Sequence, residues 1–198
     1  MKNTFSIFFL ISMVIIFLSS CENKNSYPDF KPDQPDNLSE DIYEIYTTLI
    51  NEYYSSIPAL VAPQATDSTQ NCRIAYYLKL DSLGIDSSII AGAIDLNKKS
   101  YVLDNKITSE TRIFLLSKAE LAHYNSHSFQ KMIEKYNANT IFFWGLPYIY
   151  ETETPEQKMA VFSYYSYCGP MCASWYFVLM EKKEGNWKIR LHHLTAIS

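Results

Sequence analysis

The C-terminal end of the chain, from Lys158 onward, constrains the fold more than any other part. Three aromatic-rich segments, "KMAVFSYYSY", "SWYFVLMEKK" and "NWKIRLHHL", are separated by two turn signals, "CGPMC" and "EGN". Runs of this length bounded by turn residues read as strands. The glycine in "EGN" supplies the positive φ that a tight hairpin needs. In the last segment Trp187, Ile189 and Leu191 alternate with Lys188, Arg190 and His192, which predicts one buried and one wet face. The two preceding segments are apolar at both parities, as in central strands covered on both sides. "IFFWGLPYIYET" comes before them as a further strand region, ending in a polar turn at residues 153–157. An antiparallel meander is expected.

Upstream, the periodicity changes to that of helices. In "NLSEDIYEIYTTLINEYY" the apolar positions Ile42, Ile45, Tyr46, Leu49, Ile50 and Tyr53 fall on one helical face. Asn37 with Glu40 three residues on has the form of a capping box. "IPALVAP" (57–63) and "TRIFLLS" suit short strands. "CRIAYYLKLDSLG" predicts a helix stopping at Gly84, and "DSSIIAGAIDLN" a short helix capped by Asp86. Ser117 with Glu120 forms a second capping box before "KAELAHY". "SFQKMIEKYNAN" places Phe129, Met132, Ile133 and Tyr136 on one side of another helix. The expected fold class is therefore α+β, with N-terminal helices packed on one face of a C-terminal antiparallel β-meander.

The first residues carry a different signal. Lys2 precedes an apolar run from Phe5 to Leu18. That run is too short to span roughly 30 Å of hydrocarbon and matches the hydrophobic part of a secretory signal. It ends in Leu18-Ser19-Ser20-Cys21. This motif resembles the lipobox of bacterial lipoproteins. The resemblance implies cleavage after residue 20, lipidation of Cys21 and attachment to the membrane through that lipid. Glu22 in place of aspartate points to the outer membrane by the same resemblance. Residues 21–38, with prolines at 28, 32 and 35, bury too little to order themselves and read as a tether. The organisation expected is a signal peptide over 1–20, a lipidated tether over 21–38 and a single domain over 39–198.

Removing Lys2 with the signal takes the formal charge from −4 to −5. A chain of that charge offers no electrostatic footprint for nucleic acid. The bias in composition is aromatic, with 16 Tyr, 11 Phe and 3 Trp. Tyrosine serves cores and ligand faces alike.

With Cys21 lipidated, three thiols remain: Cys72, Cys168 and Cys172. An exported chain meets conditions that permit disulfides. A bridge from Cys168 to Cys172 closes a very small loop and contributes on the order of 2 kcal/mol. Gly169 and Pro170 suit the dihedrals of such a turn. Two other readings compete. One is redox chemistry of the Cys-Gly-Pro-Cys kind, although Met171 adds a residue and strands rather than a helix flank the pair. The other is a soft copper site built from Cys168, Cys172 and His192. Cys72 suits a buried apolar position, or a bridge to one hairpin cysteine. His123 and His127 share i, i+4 spacing, but Asn125-Ser126 reads as a helix break and no zinc-hydrolase glutamate accompanies them. The Lys188, Arg190 and His192 stripe could hold an anion or protect a sheet edge.

Several pieces, "IYEIYTTLINEYY", "AIDLNKKSYVL", "FLLSKAEL", "YCGPMCASWYFVLMEKKEGNWKI" and the terminal Ser198, resemble an uncharacterised family of secreted bacterial proteins. The resemblance implies an exported domain and no particular reaction. Ala173 and Ser174 stand where such hairpins carry more glycine, which argues against a glycine-lined site. The functional expectation is a lipid-anchored envelope protein. Its domain is a non-enzymatic binding or structural module for a protein or small-molecule partner, and no cofactor is expected. The alternative is a thiol- or copper-handling protein.

Overall fold

The computed structural model describes residues 27–69, 85–127, 129–138, 140–152, 157–169 and 171–197. The expected signal peptide, Cys21, Cys72, the helix expected over 72–84 and most of the 153–157 turn lie outside them. Among the described residues, four helices and seven strands run in the order α1 (Glu40–Tyr53), β1 (Ala59–Pro63), α2 (Ser87–Leu96), β2 (Arg112–Leu116), α3 (Lys118–His127), α4 (Phe129–Tyr136), β3 (Ile141–Trp144), β4 (Tyr148–Glu151), β5 (Lys158–Gly169), β6 (Cys172–Lys183) and β7 (Asn186–Ile197). The class is α+β.

The C-terminal strands pair as their turn chemistry dictates. β5, β6 and β7 form an antiparallel meander, and β4 joins β5 antiparallel. The meander is only part of the sheet, however. The full order is β2-β1-β3-β5-β6-β7, and β2, β1 and β3 are mutually parallel. Parallel neighbours need long crossovers. The segments between β1 and β2, and between β2 and β3, contain α2 and the α3–α4 pair. A mixed sheet thus replaces the expected pure meander.

The helices occupy both faces rather than one. Leu60, Ala62, Phe142, Trp144, Ala160, Phe162, Tyr164, Val178 and Met180 point to the α1 side, where Ile42, Ile45, Tyr46, Leu49 and Ile50 complete the main core. On the opposite face, α2 packs over Val161, Phe177 and Leu179. There α3 and α4 pack over Ala59, Val61 and Ile141. Strand β1 is buried along its whole length for this reason.

Capping follows the sequence in part. Asp86 accepts a hydrogen bond from the Ser88 N–H at 2.7 Å and opens α2 as expected. Ser117 Oγ accepts one from the Glu120 N–H at 3.3 Å. The Glu120 carboxylate does not return to close the box. It pairs with Lys135 Nζ at 2.6 Å and accepts from the Tyr136 hydroxyl, clamping α3 to α4. The Asn37–Glu40 box does not form. Ser39 is the N-cap of α1, with no capping bond from its side chain. α3 also runs unbroken through Asn125 and Ser126.

The expected tether is partly folded onto the domain. Asp33 N–H donates to Gln64 Oε1 at 2.8 Å, and Gln64 Nε2 donates back to the Asp33 carbonyl at 2.9 Å. Asp33 Oδ2 accepts from the Lys118 N–H, and Asp36 exchanges bonds with the Val102 main chain. Phe30 lies 5.4 Å from the His123 ring. Residues from Phe30 onward thus make contacts with the rest of the domain.

Candidate functional site

The last part of β7 runs from the end of α1 toward the hairpin side of the sheet. β5 and β6 are joined there by the cysteine turn. The Cys168 and Cys172 sulfurs lie at disulfide distance, with Cα atoms 5.2 Å apart. Both residues are exposed. Gly169 takes φ +129° and Met171 takes φ +58°. The first is natural for glycine, while the second forces an ordinary side chain into the left-handed region. Met171 is thereby thrust into solvent, 91% exposed. Each cysteine terminates a strand, so neither sits at the helix N-terminus that lowers a thiol pKa in thioredoxin-type motifs.

Strand β7 is out of step with its simple alternation. Leu179 pairs with Leu191 but Met180 pairs with Ile189, so Arg190 is an extra residue in a bulge. One extra residue exchanges the faces of everything beyond it. Trp187 and Ile189 face α1, Leu191 faces α2, and His192 returns to the α1 side opposite Val178. The expected wet stripe of Lys188, Arg190 and His192 is thereby broken. Lys188 and Arg190 are exposed, whereas His192 is half-buried.

On the α1 side His192 joins a cluster of tyrosines. Its Nε2 is 2.7 Å from the Tyr164 hydroxyl, which is 2.5 Å from the Tyr54 hydroxyl. Tyr176 stacks on the imidazole at 4.6 Å and 9°. Tyr53, the last residue of α1, covers the ring at 3.9 Å. Burial pushes the imidazole pKa down to about 4. Burial likewise raises the Tyr54 and Tyr164 phenols, beyond what the hydrogen bond from Tyr164 restores to Tyr54. At neutral pH all three groups are uncharged. A general acid or base works best with a pKa near the operating pH, so this chain of hydroxyls and imidazole is suited to neutral hydrogen bonding and stacking.

Beyond Tyr53 the α1 helix ends and the sheet continues uncovered. Leu194 lies opposite Tyr176 and Ile197 opposite Ser174, after a second bulge at Thr195. Tyr53, Leu194 and Ile197 are 43%, 40% and 70% exposed. Together with Met171 they are the exposed large apolar side chains among the described residues. Leu194 and Ile197 follow Tyr53 and His192 along the same face of β7, and Met171 lies at the cysteine turn itself.

The structure does not bring His192 to the cysteines. The C-terminal end of β7 returns to the hairpin, but His192 pairs with Val178, well down β6 from Cys172. At about 3.3 Å per residue the separation along the strand is about 20 Å. Among the described residues no group of three His, Cys, Asp or Glu side chains could hold a metal ion. His123 packs by its ring against Phe30 and Tyr124. The residues that sequence reasoning passed over are Tyr53, Tyr54, Tyr164 and Tyr176. Their signal was the tyrosine excess itself, in "EYY", "SYYSY" and "WYF".

The fold and this end of the sheet define an α/β/α-layered α+β domain with a disulfide-closed hairpin and an aromatic face. Comparison with protein-family models, curated proteins and solved structures finds no match.

Proposed function

We propose that this is a lipid-anchored protein of the bacterial cell envelope, held at the outer membrane by acylation of Cys21, and that its domain is a binding module rather than an enzyme. The anchor reading rests on the apolar run ending in Leu18-Ser19-Ser20-Cys21. One observation carries the binding reading: past the end of α1, Tyr53, Leu194 and Ile197 stand exposed along one face of β7, Leu194 opposite Tyr176 and Ile197 opposite Ser174. Scattered apolar side chains need no explanation, but a concentration at one place marks a contact surface. The detuned pKa of His192 supports recognition over proton transfer at neutral pH.

The test is in-cell photocrosslinking. A benzophenone amino acid at Leu194 captures a partner in the native host, and one at Lys98, on the helix side of the opposite face, does not. Equal capture at both sites, or none at Leu194, overturns the reading. Labelled palmitate incorporates into the wild-type chain and not into Cys21→Ser; label in neither refutes the anchor.

A second reading, thiol exchange, draws on the exposure of both hairpin cysteines. It predicts that a partner is trapped as a mixed disulfide by one Cys168→Ser or Cys172→Ser variant. The copper alternative has no such support, because His192 lies far down the strand.

A further inference from the structure

The sheet has a second unusual place, at its other edge. We propose that β2 accepts an extended peptide segment of a partner protein as an added strand, with a lysine or arginine of that segment answered by Asp104. This surface is separate from the hairpin end and independent of it.

The register decides which main-chain groups are free. The Arg112 N–H bonds the Pro58 carbonyl and the Leu116 carbonyl accepts from the Gln64 N–H. Residues 112, 114 and 116 therefore turn their main-chain groups toward β1, and Ile113 and Leu115 turn theirs outward. β2 is the end of the strand order, so among the described residues no further strand meets them. N–H and C=O pairs at alternate residues repeat at about 6.6 Å, the spacing of a strand's own ladder. Their natural complement is the backbone of an extended chain.

A groove already lies over these groups. It encloses about 450 Å³ and straddles the edge, with Phe114 and Tyr136 on one side and Asp104 on the other. That is within the roughly 300–1,000 Å³ of ligand clefts. Its outer wall is the docked segment from Pro32 to Pro35. Among the described residues this wall makes no main-chain hydrogen bond to Ile113 or Leu115. Pro32 and Pro35 have no N–H, and the N–H groups of Asp33 and Asp36 are committed to Gln64 and Val102.

The two sheet edges also differ in protection. β7 carries Lys188 and Arg190 and two bulges, which discourage strand addition. β2 reads "RIFLL", pairs in continuous register with β1, and carries charge only at Arg112. The groove is lined by Asp33 and Asp104, and among the described residues neither joins an ion pair. Asp33 is occupied in capping α3. Asp104 accepts from the N–H of its neighbour Asn105 and feels Lys106 only through space, since that ammonium is in contact with Glu40, so its carboxylate is the one in the groove open to an incoming cation.

The test uses amide hydrogen exchange by NMR on the full-length protein, alone and with the peptide Lys-Val-Lys-Val-Lys. The Ile113 and Leu115 amides exchange rapidly in the free protein and slow tenfold or more with peptide. A fully N-methylated peptide keeps the side chains, loses every N–H donor and gives no protection. Asp104→Asn weakens the lysine peptide several-fold and leaves a glutamine-for-lysine version unchanged. Three results overturn the proposal. One is unchanged exchange at both amides in millimolar peptide. Another is equal protection by the N-methylated peptide, which assigns binding to side chains alone. The third is protection in the free protein that grows with protein concentration, which assigns the edge to a second copy of this chain.

Discussion

His192 shows how far one residue's environment can depart from its place in the sequence. Its ring is half-buried between Tyr53 and Tyr176 and bonded to Tyr164. The unfolded imidazole titrates near 6.5 and the folded one near 4. Between those values the unfolded chain takes up a proton that the folded one refuses, so stability is complete above pH 6.5 and falls as the pH drops toward 4. The loss is on the order of 1 to 2 kcal/mol once solvent screening of a partly exposed ring is allowed for. His192→Gln keeps a partner for the Tyr164 hydroxyl and removes the titration. Urea unfolding at pH 7.5 and pH 4.5 checks this: the wild type loses stability between the two, and the variant loses measurably less. At the hairpin, Gly169→Ala places a Cβ at φ +129° in open space. The cost is therefore purely conformational, about 1 to 2 kcal/mol by thermal unfolding.

At the scale of elements, α1 is held to the sheet by one carboxylate as well as by its apolar face. Asp41 accepts from Lys182, from Lys158 at 3.2 Å and from Trp187 Nε1 at 3.1 Å. Burial works to raise its pKa, but the hydrogen bonds from Lys182, Trp187 and Lys158 outweigh it and hold the carboxyl below its ordinary value. A depressed carboxylate pKa stabilises the fold above the unfolded value near 3.8, and that stability disappears as the pH falls below it. Asp41→Ala leaves two ammonium groups and an indole N–H without this partner and costs about 2 to 3 kcal/mol. The midpoint of urea unfolding at pH 7 reads this directly. A shift under about 0.5 kcal/mol, the size of an ordinary surface substitution, refutes it. The cysteine turn adds less. Reducing Cys168–Cys172 costs at most about 2 kcal/mol, because the loop it closes is so short.

For the whole molecule, the docking of residues 30–38 on the domain is the consequential feature. Residues 30–38 are fastened through Phe30, Asp33 and Asp36 to α3, Gln64 and Val102. Deleting residues 22–29 leaves the unfolding free energy unchanged to within about 0.5 kcal/mol. Extending the deletion to residue 38 leaves the buried Gln64 Oε1 without its partner and uncaps α3, and costs about 2 to 4 kcal/mol. Equal stability of the two truncations sinks this assignment. A leash from Cys21 to Phe30 spans at most about 30 Å. If the Cys21 anchor is correct, the domain works close to its membrane.

The local patterns determined by themselves that the chain is α+β, where α1, α2 and the β5–β7 hairpins lie, and that Cys168 and Cys172 flank a turn. Each of these depends on residues near one another in sequence: the periodicity of Ile42 to Ile50, the Asp86 cap, the glycine in "EGN". Tertiary structure alone decided the rest. β1 and β2 had strand composition, but nothing local distinguishes a parallel partner from an antiparallel one. The long crossovers and the burial of both faces made that choice. Equally, no alternation along β7 could announce that Arg190 bulges, since a bulge exists only relative to the strand opposite. That single extra residue turned His192 from solvent onto the tyrosines, because side chains alternate strictly along a strand and one inserted residue exchanges its faces.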